Sequence, residues 1–479
     1  MGEEWMQTYI QRSLPLAVDV SVTERSEFRL ARLLFKNHLD RLANLVVNVS
    51  ERDTVGMSPY TFLLLRLPAP RLQSLHMRCE LVNDNVSDAH ELPLLPKPCF
   101  AGTAAALRDV SLRMIGIQWS DSSPCFTGLT SLSIDWYREG FKVDALLPTP
   151  LQLYSLIAAN PKLKSVALLN CLPSYEEQDC GFLIPIALPD LSELAIHGSN
   201  VSCLSFLKTL TLPSPHDLFL SVTCEDSGPS PAQDYNPLSS FIASHIQRMS
   251  ENSTISKRAI ETLSISMTNT HLHVHSWTNA SFDECKPALI IPSTRDGKCL
   301  DLNLEFEPYH FTERQLFHLL RSTLHALPLH DVLVMSLSAP AIRPSQQGLC
   351  NLLDPCNALK CLGLEVANGY TDSSGNALRF LPVADKSDTP PPSPIQARFL
   401  PNLCLLELKR LNGGIQFRSP EPDVTGLKRH TFYDALFCND GRPFNLRVLR
   451  FNECGVDESV VRTIRDLKVI PEDTAVEIV

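Results

Sequence analysis

The sequence is poor in glycine, with 19 residues in 479, and none of them builds a G-x-G-x-x-G turn or a phosphate-cradling loop. That disfavours a doubly wound nucleotide-binding fold, which needs such a turn at a strand end and long strands buried on both faces. Cysteine is sparse and scattered. Its 15 residues include no Cys-x-x-Cys, which excludes a disulfide scaffold or a zinc knuckle and fits reduced, buried thiols. Positive charge is short as well, with 42 Lys and Arg against 53 Asp and Glu and a net charge of −11. Phosphate neutralisation needs clustered basic residues, and Lys257-Arg258, Lys409-Arg410 and Lys428-Arg429 are far apart, so no nucleic acid is expected as a partner.

Long hydrophobic runs are missing. The stretch from Gly181 to Leu188 is among the longest and Pro185 breaks it, whereas crossing a bilayer takes about 20 residues. The opening Met1-Gly2-Glu3-Glu4-Trp5-Met6 has no basic start and no apolar core, and Met6 stands where a myristoylation signal needs Ser or Thr. A soluble cytoplasmic or nuclear protein with no membrane association is the expectation. Hydrolase elbows, H-E-x-x-H helices and calcium loops are also absent, so an enzyme reading has no starting residue, and neither catalytic residues nor cofactors are expected.

What the sequence has is a short recurring pattern, L-x-x-L-x-L. It reads Leu42/Leu45/Val47, Leu72/Leu75/Met77, Leu107/Val110/Leu112, Leu129/Leu132/Ile134, Leu163/Val166/Leu168 and Leu191/Leu194/Ile196 in the first half. Ile260/Leu263/Ile265, Leu359/Leu362/Leu364, Leu403/Leu406/Leu408 and Leu446/Leu449/Phe451 continue it, with looser copies at Leu218-Leu220-Val222, Leu302-Leu304-Phe306 and Val332-Val334. The last two apolar positions are two residues apart, so each copy is a short strand burying one face. Proline and a loop residue often precede it, as at Pro70-Arg71, Pro161-Lys162, Pro189-Asp190 and Pro401-Asn402, and stop the preceding chain from continuing as helix. Helical apolar spacing fills Leu151 to Ala159, Phe241 to Met249, Phe311 to Leu327 and Val460 to Leu467.

This alternation predicts an α/β leucine-rich-repeat-like solenoid of about thirteen irregular strand-helix units with a parallel concave sheet, since stacked units cover each other's apolar sides. Residues 1–36 are expected to form an N-terminal cap, with Trp5, Tyr9 and Ile10 on one helical face and Leu16, Val18, Val20 and Val22 in a strand; residues 37–479 form the array. Cys454-Gly455 closes the last copy, and Asp457 is a candidate helix N-cap. Loops are expected near 225–235 and 383–398, the second carrying Thr389-Pro390 and Ser393-Pro394 as minimal proline-directed phosphorylation sites.

The strand register points His76, Arg78, Ser111, Arg113, Ser133, Asp135, Asn303, Glu305, Glu407, Lys409, Arg450 and Asn452 away from the core, as candidate partner-binding residues on a concave face. A mixed-charge surface of this kind suits a protein partner. His271-x-His273-x-His275 would set three imidazoles on one strand face, with Cys285 the nearest fourth ligand; a polar strand edge holding no metal is the reading preferred.

Trp5-Met-Gln-Thr-Tyr-Ile-Gln-Arg-Ser13, Leu16-Ala-Val-Asp-Val20, His38-Leu-Asp-Arg-Leu42, Pro68-Ala-Pro-Arg-Leu72 and Pro189-Asp-Leu-Ser-Glu-Leu194 occur in an order that resembles the F-box-type leucine-rich-repeat proteins of mushroom-forming fungi. The resemblance implies a ubiquitin-ligase subunit in which an F-box docks a Skp-type adaptor and the repeats recruit a target protein. The chain opens at what resembles the segment just after the F-box, with no Leu-Pro-x-Glu ahead of Trp5, so adaptor binding is expected only with an F-box restored. A stand-alone repeat scaffold with no ligase link is the alternative.

Overall fold

The computed structural model describes residues 3–13, 16–22, 38–50, 65–80, 93–119, 126–136, 147–174, 184–212, 219–226, 235–251, 259–268, 271–280, 291, 298–306, 320–325, 327–339, 353, 355–366, 400, 402–409, 446–454, 458, 461–462, 465 and 473–479. It is a mixed α/β structure with few helices, and it divides into two compact units, Met1–Cys224 and Glu225–Val479. The expected sites at Cys285, Thr389, Ser393 and Asp457, the loop 383–398 and the cap boundary at 36 lie outside the described residues. No helix among the described residues is long and apolar enough to cross a membrane.

The first unit holds α1 (Glu3–Arg12), β1 (Val18–Val22), β2 (Leu42–Ser50), β3 (Ser74–Glu80), β4 (Asp109–Arg113), β5 (Ser131–Asp135), α2 (Pro150–Ala158), β6 (Ser165–Leu169), β7 (Ile186–Ala187), β8 (Glu193–Gly198), α3 (Asn200–Lys208), β9 (Leu210–Thr211) and β10 (Phe219–Asp226). Its sheet runs β1-β2-β3-β4-β5-β6-β8-β10 with every neighbour parallel, and β7 and β9 form a separate parallel pair. The L-x-L positions fall into two continuous rows: Leu45, Leu75, Val110, Leu132, Val166, Leu194 and Leu220, then Val47, Met77, Leu112, Ile134, Leu168, Ile196 and Val222. Every one of these side chains is buried.

The residues that sequence analysis reads as punctuation form one repeated turn. A backbone hydrogen bond closes it from Leu72 to Ala69, Leu107 to Ala104, Leu163 to Asn160 and Leu191 to Leu188, and in the second unit from Val332 to Leu329, Leu359 to Cys356 and Leu403 to Leu400. Pro70, Pro161 and Pro189 occupy the second position of that turn, where a fixed φ near −65° is preorganised. Strand starts are stitched together in series. The Arg108 carbonyl accepts from Thr130 and Ser131, that of Thr130 from Lys164 and Ser165, and that of Lys164 from Ser192 and Glu193.

Strand exits repeat as well. Met114, Asn170 and Glu453, each two residues past a buried L-x-L pair, are left-handed (φ 54°, 56° and 52°). Their N–H groups donate to the carbonyls of Asp135, His197 and Val479 at the ends of the neighbouring strands. One residue further on, buried Cys171 and Cys454 donate through Sγ to the Ile134 and Leu408 carbonyls of the preceding strands, at 3.7 and 3.1 Å.

In the second unit α4 (Asn236–Glu251) precedes β11 (Thr262–Met267), β12 (His271–Trp277), β13 (Lys298–Phe306), β14 (Val334–Ala339), β15 (Cys361–Val366), β16 (Leu405–Lys409), β17 (Val448–Asn452) and β18 (Ala475–Ile478). The order is β13-β12-β11-β14-β15-β16-β17-β18, and the expectation of an all-parallel sheet fails at β12, which is antiparallel to both neighbours. Only three residues separate β11 from β12, too few for a crossover, so the chain must double back. The looser copy at Val332-Val334 is shifted: Met335 and Leu337 pair with Leu362 and Leu364, and Val332/Met335/Leu337 is the true copy.

Other expectations also shift. The segment 225–235 is not all loop, because β10 continues to Asp226 and Tyr235 is buried; 227–234 lie outside the described residues. Helices appear where expected at Leu151 to Ala159 and Phe241 to Met249. Short 3-10 turns at Leu39–Arg41, Cys99–Gly102 and Leu329–Asp331 serve other connections, because one turn suffices to re-aim the chain into the next strand. In α1, Trp5 and Tyr9 face solvent at 69% and 57% exposure instead of the core, and Leu16 is exposed and precedes β1. What ties this segment down is Arg41, 5% exposed, whose guanidinium donates to the carbonyls of Ser13 and Leu16 and to Ser13 Oγ.

Candidate functional site

Burying the L-x-L rows on one side of each sheet leaves the alternate residues on the other. In the first unit that second face carries three in-register rows. The first runs Asp19, Asn44, Ser74, Asp109, Ser131, Ser165 and Glu193; the second, Ser21, Val46, His76, Ser111, Ser133, Ala167 and Ala195; the third, Asn48, Arg78, Arg113, Asp135, Leu169 and His197. None of them belongs to the buried core. His76, Arg78, Ser111, Arg113, Ser133 and Asp135, expected from register alone, are thus brought together on three adjacent strands.

The polar groups organise one another. Asn44 Nδ2 donates to Asp19 Oδ1 at 2.6 Å, Ser74 Oγ to Asn44 Oδ1 at 2.7 Å and Ser165 Oγ to Glu193 Oε2 at 3.2 Å. His76 Nε2 stands 3.1 Å from Asp109 Oδ2, and Arg113 Nε 3.2 Å from Asp135 Oδ2. Sequence analysis missed the whole first row. Its signal is the residue just before the second apolar position of each copy, which an extended strand turns to the same side as the residue between the apolar pair.

The remaining expected residues lie on the corresponding face of the second unit. His271, His273 and His275 share one face of β12, opposite Glu305, Asn303 and Asp301 of β13. The rings line up along the strand and do not converge: His271 and His273 stack at 5.5 Å between centroids, and His273 and His275 meet edge to face at 6.2 Å. Among the described residues no group of three or more His, Cys, Asp or Glu could hold a metal ion. Burial, followed by the neighbouring His271 and His275, lowers the His273 pKa against the opposing pull of Glu305 and Asp301. For Asp301 burial works upward, but hydrogen bonds from His275 and Lys298 prevail and hold it at about 2.

No family model matches this chain. Nor does any curated protein. The functional reading therefore starts from the geometry of the two faces.

On that geometry the two units differ. Glu407, expected to project toward a partner, is 4% exposed and buried against its neighbours: Asn452 Nδ2 donates to Oε1 at 3.1 Å, and Lys409 Nζ lies 3.8 Å away. Arg450 is committed to Glu477, through both Nε and Nη2 at 2.7 Å. At the position that is polar in the first unit, the second unit has Val334, Cys361, Leu405 and Val448, a buried apolar ladder. Ala280 and Ile291 from the β12–β13 connection pack against it together with Leu333. Much of this second face is engaged within its own unit.

Proposed function

We propose that the chain is a leucine-rich-repeat-type protein-interaction module, and that the largely polar face of β1 to β6 and β8 in its first unit is the surface that takes the partner. The carrying observation is the three-row, in-register and largely polar face, its first row polar throughout, ordered by side-chain hydrogen bonds yet left outside the core. A wide, mixed-charge sheet with positions fixed at strand spacing suits a folded or extended polypeptide better than a small apolar ligand. The repeated turn, the left-handed exit residue and the Cys171 and Cys454 contacts support a stacked solenoid with this face on the concave side.

The F-box-type resemblance extends the reading to the target-recruiting part of a ubiquitin-ligase subunit. Affinity purification followed by mass spectrometry, with the full chain and with Ser133→Trp, tests the interaction. The bulky ring in mid-face should remove the specific partners; an unchanged partner set refutes the surface assignment. The ligase extension predicts that depleting the protein lengthens the half-life of the recovered partner. An unaltered half-life leaves a stand-alone scaffold.

A further inference from the structure

We propose that His273, at the centre of β12, is a proton switch: on protonation its ring turns out of the histidine stack to donate a hydrogen bond to Asn303 Oδ1, and through that amide it is coupled to Glu305.

The three rings of β12 are not equivalent. His271 Nδ1 lies 3.4 Å from Thr268 Oγ1, and His275 Nε2 lies 3.1 Å from Asp301 Oδ1. His273, between them, makes no hydrogen bond through its ring to any described residue; its contacts are the stack on His271 and the edge of His275. Directly opposite it on β13 stands Asn303. Asn303 Nδ2 donates to Glu305 Oε1 at 2.6 Å, which fixes the amide, because a flip would set oxygen against oxygen. Oδ1 is thereby left enclosed, with no donor among the described residues. Buried acceptors without a partner are rare, and here the cross-strand neighbour is a ring whose own nitrogens are unbonded.

Opposite residues of an antiparallel pair carry Cβ atoms about 4.5–5.5 Å apart, so rotation of the His273 side chain is enough to carry a ring nitrogen toward the amide. Charge decides whether it turns. The titratable and charged groups around the ring are His271 and His275 on its own strand and Asp301 and Glu305 on β13, with Lys298 committed to Asp301. On the other side β11 offers only Thr262, Ser264 and Ser266, and the next charge along that row, Glu365 of β15, is three strands away. A proton on His273 therefore sets it against its two ring neighbours, while both carboxylates of β13 favour it. A protonated imidazole also has two N–H donors in place of one. Its bond to an amide already aligned by a carboxylate is charge-assisted, about twice as strong as the neutral bond.

The test is NMR of the full-length chain carrying 15N-labelled histidine and asparagine, titrated from about pH 8 to about pH 5. His273 ring signals are those lost in His273→Gln, and Asn303 amide signals those lost in Asn303→Leu. The Asn303 side-chain signals should move with the His273 midpoint. Asn303→Leu, close in volume but without an acceptor, should lower that midpoint by about half a pH unit or more. Glu305→Gln should lower it too, and by less in the Asn303→Leu background, because the carboxylate acts partly through the amide. Circular dichroism checks folding, and Asn303→Ala replaces the leucine variant if that one does not fold.

Asn303 signals that do not follow the His273 titration overturn the proposal, whether the bond exists in the neutral state as well or never forms. An unchanged midpoint in Asn303→Leu also overturns it. So do effects of Asn303→Leu and Glu305→Gln that simply add, which would make Glu305 a separate charge and Asn303 a bystander.

Discussion

Asn160 offers a sharp test of how neighbouring repeats are held together. In seven copies of the repeated turn the N–H of the first apolar residue bonds to the carbonyl three residues earlier, but in the copy before β5 Leu129 N and Phe126 O do not bond each other. Gly128, left-handed at φ 76°, changes the course of that turn. The fully buried amide of Asn160, from the next repeat, takes over: Oδ1 accepts from Leu129 N at 2.8 Å, while Nδ2 donates to Phe126 O and Leu156 O at 2.7 Å each. Asn160→Ala leaves a buried N–H and a buried C=O without partners at about 1–3 kcal/mol each, and opens a small void, for a cost of about 3–5 kcal/mol. That is a large share of the 5–15 kcal/mol or so that holds a domain folded. Asn160→Leu restores the volume but none of the bonds, so it should recover little. Urea unfolding gives the size of the loss, and hydrogen exchange read by mass spectrometry on a peptide covering 126–131 gives its place. A loss below about 1 kcal/mol for the alanine variant, or full recovery with leucine, would show that packing and not hydrogen bonding joins these repeats.

The remaining predictions concern the core, a helix cap and pH. Leu194→Ala, at a 0% exposed position inside the first unit, should cost about 2–5 kcal/mol in urea unfolding. Thr149 caps α2 through a reciprocal bond with Gln152, so Thr149→Ala should cost about 1 kcal/mol, with faster exchange confined to the first turn of that helix. For His273 the folded pKa lies below the unfolded one of 6.5, so the unfolded chain takes up the proton first. Stability contributed by the neutral ring is complete above about pH 7 and is lost as pH falls through 6.5 toward the folded pKa. His273→Gln should flatten melting temperature against pH across that range. Asp301, held at about 2 against 3.8, contributes stability above about pH 4 that is lost toward pH 2; Asp301→Asn should remove that lower limb and, by taking away a charge that raises the His273 pKa, lower that pKa further.

Most strand positions were legible because the period-two pattern leaves little freedom: slipping any copy by one residue would expose its Leu pair. Proline placed the turns for a similar reason, since its φ is fixed before any packing. The antiparallel β12 was written in the three-residue gap between Met267 and His271, but the histidines drew attention to ligation instead of to chain reversal. Asn160 was not legible, because its role depends on a hydrogen bond missing from another repeat 31 residues away. Burial of Glu407 was equally hidden. An L-x-L pattern assigns a side to each residue, but not whether other side chains cover that side, as Asn452 and Lys409 crowd Glu407 and as Ala280 and Ile291 pack on the neighbouring ladder.

That last point separates the two faces chemically. The residue before the second apolar position is Asp109, Ser131, Ser165 and Glu193 on successive strands of the first unit, and Val334, Cys361, Leu405 and Val448 on successive strands of the second. Four apolar side chains in register bury one another and recruit Ala280 and Ile291. Burial accordingly raises the Cys361 thiol to about 12, with Cys404 adding to the effect, so the sulfur remains a neutral packing group. A row of carboxylates and hydroxyls cannot be covered so cheaply, because each polar group loses water and needs a replacement partner. Replacing that ladder by Ser at Leu405 should therefore loosen the β12–β13 connection, seen as faster exchange at residues 278–280 with the rows of the first unit unchanged. Equal exchange there in variant and wild type would mean that the connection is held by other contacts, and that the apolar ladder does not close this face.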